Sequence, residues 1–597
     1  MSLLGSSGAL RIRAVRLALV CRTAAKALVL LACVWSLVAV PFADAASTRP
    51  VAAENGMVVT AQHLATEVGV DILKRGGSAI DAAVAVAYAL AVVYPAAGNL
   101  GGGGFMTIAF ADGRRTFLDF REKAPHSATP GMFLDKDGNV IKGLSTTGWL
   151  AVGVPGTVSG LEYAREKYAT MTRAALIAPA IALAANGFTL DQGDVDMLAT
   201  ATDDFKRFPT TGEIFLNNGR PFAAGEKLLQ PDLANTLRLI SERGVDGFYR
   251  GKTAADIVKA SQAGGGIIDQ NDLESYRTRE FPPVECDYRG YHVISAPPPS
   301  AGGVALCEML NVLEGYPLRE LGWGSAQALH DEIEAMRHAF VDRNLLGDPD
   351  FVGNPVRELI DKSYAAKIRS AIKPDKAGIS SEIGSGVVPH EGINTTHFSI
   401  IDHAGNAVSM TYTLNDWFGA RVVASGTGVL MNDEMDDFTP NPASANANGA
   451  QGNLKASANA IAPGKTPLSS MTPTIITRDG KPVLILGTPG GRRIITTVLQ
   501  TILNVVDFQM NIQEAVDAPR IHHQWLPDVT DAEPYAVSPD TSKILQGMGY
   551  RIENELPANH VEAIIVGAPA LEGKPVARNR FYGANDPRPG TGLAQGY

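Results

Sequence analysis

A chain of 597 residues, 45% hydrophobic and 19% charged, carries enough apolar surface to close a large core and falls outside the disordered class. Its net charge of −10 becomes −14 once residues 1–45, with five basic residues and one acidic, are set aside; an acidic balance of that size argues against a nucleic-acid partner. No fixed-period repeat is visible, which argues against a solenoid or propeller.

The first 45 residues run from a basic stretch through the apolar segment Ala27 to Val40 to the small-residue end Ala43-Asp44-Ala45, the order of a secretory signal. The apolar run is short against the roughly 20 residues of a membrane span. Cleavage is expected near Ala45, leaving no membrane contact beyond the leader. Leu30-Leu31-Ala32-Cys33 resembles a lipoprotein box, but the apolar run continues past Cys33. Only Cys286 and Cys307 then remain. One disulfide is possible; the default expectation for each is a buried thiol.

Further along, Leu64, Val68 and Ile72 at helical spacing predict a helix over 61–75, ended by Gly76-Gly77. Ser78 and Asp81 form a capping-box start for a second, wholly apolar helix running to Val93, which should be buried. Phe105–Phe110 and Arg115–Phe120, joined at Asp112-Gly113, read as a hairpin with Arg121 at its end. The stretch 151–380 reads as mainly helical, interrupted by the turn-rich segment Asp287–Gly303. Its histidines His330 and His338, eight apart and without an HExxH pattern, read as surface or core residues rather than metal ligands. Two more hairpins are expected, at 394–402 with 406–414 and at 473–487. The last leads through Thr488–Gly491 into a helix over 492–506. Helices flanking hairpins give an α+β class with antiparallel sheets. Residues 440–463, rich in Asn, Ala, Gly and Pro, read as a surface loop.

Several residues carry possible chemistry, each beside a plainer reading. Thr395 suits a strand by packing alone. If the Asn394–Thr395 bond is cut, however, its free α-amine, with a reference pKa of about 7.7–8.0, can take the proton of its own hydroxyl. Gly490-Gly491 stands between a strand and a helix, where free N–H groups can hold an oxyanion or where the turn simply needs glycine. Arg121, the acids Asp433, Glu434, Asp436 and Asp437, and Ser469-Ser470 are binding candidates or ordinary surface and turn residues. A Walker A loop and a GxSxG elbow are both missing, which disfavours nucleotide binding and an α/β-hydrolase.

Taken in order, AGNLGGGGFM (97–106), DFRE (119–122), NTTHFS (394–399), TYTLN (411–415), MDDF (435–438), PLSSM (467–471) and PGGRRIITTVLQ (489–500) resemble the γ-glutamyltranspeptidases. The resemblance spans nearly all of the chain after the leader. It implies the Ntn-hydrolase fold, a four-layer αββα sandwich, and a precursor that cuts itself into a large chain, 46–394, and a small one, 395–597, which stay together as a heterodimer.

By matching motifs, Thr395 corresponds to the nucleophile, Thr413 to the threonine that hydrogen-bonds it, and Gly490 and Gly491 to the oxyanion pair. Arg121, Ser469 and Ser470 match residues holding the α-carboxylate of the glutamyl group, and Asn415, Glu434 and Asp437 those holding its α-ammonium. A cation on one side and carboxylates on the other suit a zwitterion. The implied reaction passes the γ-glutamyl group of glutathione, or of a related compound, to water or to an amino-acid or dipeptide acceptor, with no metal or organic cofactor. An exported protein is expected, with the leader and the resemblance favouring the periplasm and secretion as the alternative.

One departure stands out: family members often carry a lid tyrosine, whereas 440–463 has no aromatic residue and Asn448 falls near that place. The rival readings are a cephalosporin or glutaryl acylase, which needs no ammonium clamp, and a noncatalytic exported binding protein.

Overall fold

Ser78 accepts from the Asp81 backbone and the Asp81 side chain from that of Ser78, so the expected capping box starts helix α2 (Ala79–Val93), and every residue of that helix is buried. It packs beside α1 (His63–Lys74), whose Val70, Ile72 and Leu73 face the same core. These details come from a computed structural model, which describes residues 47–384, 391–392, 394–439, 458–557, 559–574, 578–588 and 590–597. The leader, residues 440–457 with Asn448, and the cleavage expected near Ala45 lie outside the described residues. No helix among the described residues is long and apolar enough to cross a membrane.

Two seven-stranded sheets form the centre. Their strands are β1 (Val51–Ala53), β2 (Met57–Thr60), β3 (Gly103–Ala109), β4 (Arg115–Asp119), β5 (Arg279–Phe281), β6 (Val284–Tyr288), β7 (Tyr291–Ser295), β8 (Thr396–Ile401), β9 (Ala407–Thr413), β10 (Thr474–Arg478), β11 (Lys481–Gly487), β12 (Glu562–Val566), β13 (Phe581–Asn585) and β14 (Leu593–Gly596). One sheet has the order β1-β13-β12-β11-β10-β7-β6, the other β14-β2-β8-β9-β3-β4-β5. All their pairings are antiparallel.

The sheets lie face to face over Met57, Val59, Ile401, Ile475, Ile485 and Ile564. Helices α1 and α2 cover the outer face of the second sheet. The first is covered by α3 (Gly302–Leu313), α4 (Ala326–Asp342) and α5 (Arg493–Val506). The result is the four-layer αββα arrangement, and α5 explains itself: only Arg493 of its fourteen residues escapes burial.

Two expectations need correction. The turn-rich segment 287–303 contains β7, which pairs with β6 across Arg289-Gly290; both turn residues have positive φ, 48° and 81°, the geometry of a tight hairpin turn. Cys286 and Cys307 are not separate thiols. Helix α3 folds back onto β6, bringing their Cα atoms to 5.9 Å in a disulfide. His330 is a core residue, bonded to the Tyr550 hydroxyl at 2.8 Å.

Candidate active site

Register brings the candidate threonines together. Thr396 pairs with Tyr412 across β8 and β9, so Thr395 and Thr413, one step beyond, stand opposite each other. The Thr395 hydroxyl donates to Thr413 Oγ at 3.3 Å. Thr413 in turn donates to the Asn394 carbonyl at 3.0 Å and accepts the Asn415 N–H at 2.8 Å. Strand β3 lies against this end of β9 closely: a Cβ on Gly102 would sit 2.1 Å from the Thr413 carbonyl oxygen. The same end of the sheet delivers Arg121, just past β4, because β3 and β4 are antiparallel neighbours.

The oxyanion candidates arrive from the other sheet. At the end of β11, Gly487 presses on His397, two residues beyond Thr395; a Cβ there would lie 2.4 Å from the ring. The chain then turns through Gly490 (φ 125°) and Gly491 (φ 56°) into α5. A Cβ on Gly490 would meet the Asn559 amide at 2.4 Å, and that amide donates to Thr497 Oγ1 on α5 at 3.1 Å. Glycine is therefore required at 490 by both conformation and space.

The charged candidates also assemble, though not as separate halves. Arg121, 1% exposed, reaches Glu434 at 2.6 Å and also pairs with Asp437. Its Nε donates to the Pro467 carbonyl at 3.1 Å, tying it to the serine segment. Burial pushes the Asp437 carboxyl up to about 6 and Glu434 well above the carboxylate range, with Arg121 opposing in both cases. Asn415 accepts the Gly392 N–H at 3.1 Å and donates to the Asp433 carbonyl at 3.1 Å. Asp437 also accepts from Gly392, at 3.3 Å. Ser470 Oγ donates to Glu391 at 2.9 Å, while Ser469 Oγ accepts the Met471 N–H at 3.0 Å within its own turn.

Four charged residues here were not singled out from sequence. Glu122, buried next to Arg121, is pushed up to about 8 by desolvation, with Arg121 opposing. Glu391, Arg343 and Arg492 form an ion cluster on Ser470. Glu391 four residues before Thr395 and Arg492 directly after Gly491 were findable by proximity to the motifs. Arg343, 48 residues before Glu391 and outside every motif, had no local signal.

Glu391 thus reaches Ser470, Gly392 reaches Asn415 and Asp437, and Asn394 and Thr395 both meet Thr413. A hydroxyl faces a carbonyl-polarising hydroxyl, beside a glycine turn and a dense set of buried charges, which is equipment for acyl transfer.

The sequence model described as gamma-glutamyltranspeptidase matches residues 65–595. The chain is 67% identical to a glutathione hydrolase proenzyme of Pseudomonas sp. (strain A14), covering 93% of this chain and 96% of that one. It is 46% identical to the glutathione hydrolase proenzyme of Escherichia coli (strain K12), covering 92% and 93%. Among solved structures, the cephalosporin acylase from Bacillus halodurans superposes with a TM-score of 0.79 at 28% identity, covering 94% of this chain and 98% of that one.

Proposed function

The chain belongs to the gamma-glutamyltranspeptidase family, an Ntn-hydrolase family, and on that footing we propose that Thr395 is the nucleophile of a γ-glutamyltransferase and glutathione hydrolase, released by cleavage of the Asn394–Thr395 bond. The observation that carries this is the Thr395–Thr413–Asn394 chain of hydrogen bonds.

Thr395 Oγ attacks the Asn394 carbonyl carbon while Thr413 donates to its oxygen. The hydroxyl proton ends on the Thr395 nitrogen as the C–N bond breaks, leaving an ester that water hydrolyses. The freed α-amine then serves as base for the same hydroxyl. Thr395 Oγ attacks the γ-carbonyl of the donor, Gly490 and Gly491 N–H groups stabilise the oxyanion, and the amine leaves with the proton. The γ-glutamyl ester passes to water or to an amino-acid or dipeptide amine. Asn415, Glu434 and Asp437 hold the α-ammonium; Arg121, Ser469 and Ser470 face the α-carboxylate.

The ammonium clamp favours a γ-glutamyl over a glutaryl donor: a glutaryl group brings no second cation, so Arg121 alone would face the buried Glu434 and Asp437. Export to an oxidising compartment, with removal of residues 1–45, is supported by the leader and by the Cys286–Cys307 disulfide.

Denaturing electrophoresis with N-terminal sequencing tests the reading. The expected result is a small chain beginning at Thr395, and in Thr395→Ala neither cleavage nor turnover. Intact protein with full activity overturns it, as does faster turnover of glutaryl-amides than of γ-glutamyl-amides.

A further inference from the structure

The buried charges of the site divide unevenly. Around Arg121 stand three buried carboxyl groups, Glu434 and Asp437 in ion pairs and Glu122 beside them. Around Glu391 stand two guanidinium groups. Arg343 Nη2 is 2.8 Å from Glu391 and Arg492 Nε is 3.4 Å from it. Ser470 Oγ joins the pair, accepting from Arg343 at 2.9 Å and donating to Glu391 at 2.9 Å. All three charged side chains are at least nine-tenths buried. Arg492 is the least satisfied of them: its Nε and Nη2 make no hydrogen bond among the described residues. A buried guanidinium with donors to spare, beside a carboxylate held by a hydroxyl and a second guanidinium, is the donor set for a carboxylate ligand.

We infer that Arg343, Arg492 and Ser470 form a carboxylate position which Glu391 fills as a built-in ligand of the uncut chain, and which receives the α-carboxylate of the γ-glutamyl donor after cleavage. This rests on the reading of Thr395 as the cleavage site. The charge balance carries the exchange. While uncut, three arginines face four carboxyl groups, Glu122, Glu391, Glu434 and Asp437, and Glu391 cannot leave because Gly392 is bound to Asn415 and Asp437 and Asn394 to Thr413. Once residue 394 is a chain end, the donor replaces both tethered groups: its ammonium takes the acid-rich end that the Gly392 N–H occupied, and its carboxylate replaces that of Glu391, charge for charge. Arg121, already committed to two acids, then orients Glu434 and Asp437 for the ammonium as much as it attracts the carboxylate.

The first test uses Arg492→Gln, with hydrolysis of a γ-glutamyl anilide measured without acceptor, so that only the donor supplies a carboxylate. KM should rise about tenfold, the loss of one charge-assisted hydrogen bond, with kcat nearly unchanged. Arg492→Lys should lie between the two. The variant should also lose its preference for the γ-glutamyl anilide over the 4-aminobutanoyl anilide, which lacks the α-carboxylate. Undiminished preference overturns the inference, and an effect confined to the KM of an amino-acid acceptor overturns the assignment to the donor.

Glu391→Gln separates a built-in ligand from a permanent bridge. In a chain held uncut by Thr395→Ala it should lower the melting temperature, while the processed enzyme melts as the parent does. A loss in both forms, or in neither, overturns the inference. Cleavage is scored separately by electrophoresis, so that failure of the Thr395 reading appears as a cut Thr395→Ala chain.

Discussion

Thr413 has the most demanding position of any single residue in the site. Its one hydroxyl accepts from Thr395 and from the Asn415 backbone while donating to the Asn394 carbonyl, that of the bond proposed to be cut. Removing it withdraws a hydrogen bond from the oxygen that becomes negative in the transition state, a loss of about 10²-fold by comparison with oxyanion donors. Thr413→Val is therefore expected to slow appearance of the chain beginning at Thr395 by about that factor, and Thr413→Ser to retain most of the rate. A time course on denaturing gels measures it, and parental speed in the valine variant removes Thr413 from the reaction. At this scale the sequence is informative only through its motifs. Threonine in a strand is unremarkable, and what distinguishes Thr395 and Thr413 is a cross-strand register that joins positions 18 residues apart. The pairing of Arg121 with Glu434 and Asp437 spans more than 300 residues, and no local pattern announces it.

Among the elements, those with strong internal punctuation were legible. The capping box of α2, the hairpin at Asp112-Gly113 and the one at Asp479-Gly480 all sit where the residues place them. Hairpin β6–β7 was hidden because its turn uses Arg289 at positive φ, a residue that rarely marks such a turn, and the disulfide because strand and helix meet only in the tertiary fold.

Helix α4 shows what periodicity alone does not convey: it buries Glu332, along with His330, Asp331, Glu334 and Arg337, among its apolar residues. Burial, with Asp507 and Asp331 adding repulsion, pushes Glu332 up to about 8. Between its ordinary value near 4.5 and about 8, the folded protein holds a proton that the unfolded chain has released, so this residue's contribution to stability falls as pH rises through that window. Glu332→Gln removes the penalty. It should leave the melting temperature unchanged near pH 4.5 and raise it by about 2–4 °C at pH 8.5, as calorimetry of both proteins at the two pH values would register. A rise at acid pH, or a fall at alkaline pH, contradicts this.

For the molecule as a whole, the proposed cut at 394–395 would run through both sheets rather than between domains. Strands β1 to β7 lie on one side of it and β8 to β14 on the other, yet β1 pairs with β13, β7 with β10, β2 with both β8 and β14, and β3 with β9. The layer between the sheets likewise mixes Met57 and Val59 with Ile401, Ile475 and Ile564. Neither piece owns a complete sheet, and separating them would strand backbone donors and acceptors together with core side chains. The disulfide offers no extra tether, since both its cysteines lie before the cut. Processed protein should therefore keep both chains in one species under native conditions and lose them in one cooperative transition. Because that transition turns one folded particle into two unfolded chains, mass action makes its midpoint rise with protein concentration, whereas the uncut Thr395→Ala chain unfolds to a single product at a midpoint independent of concentration. Calorimetry of both forms across a hundredfold range of concentration distinguishes this from a loose complex: release of the small chain below the main transition would mean that the pieces fold as separate units.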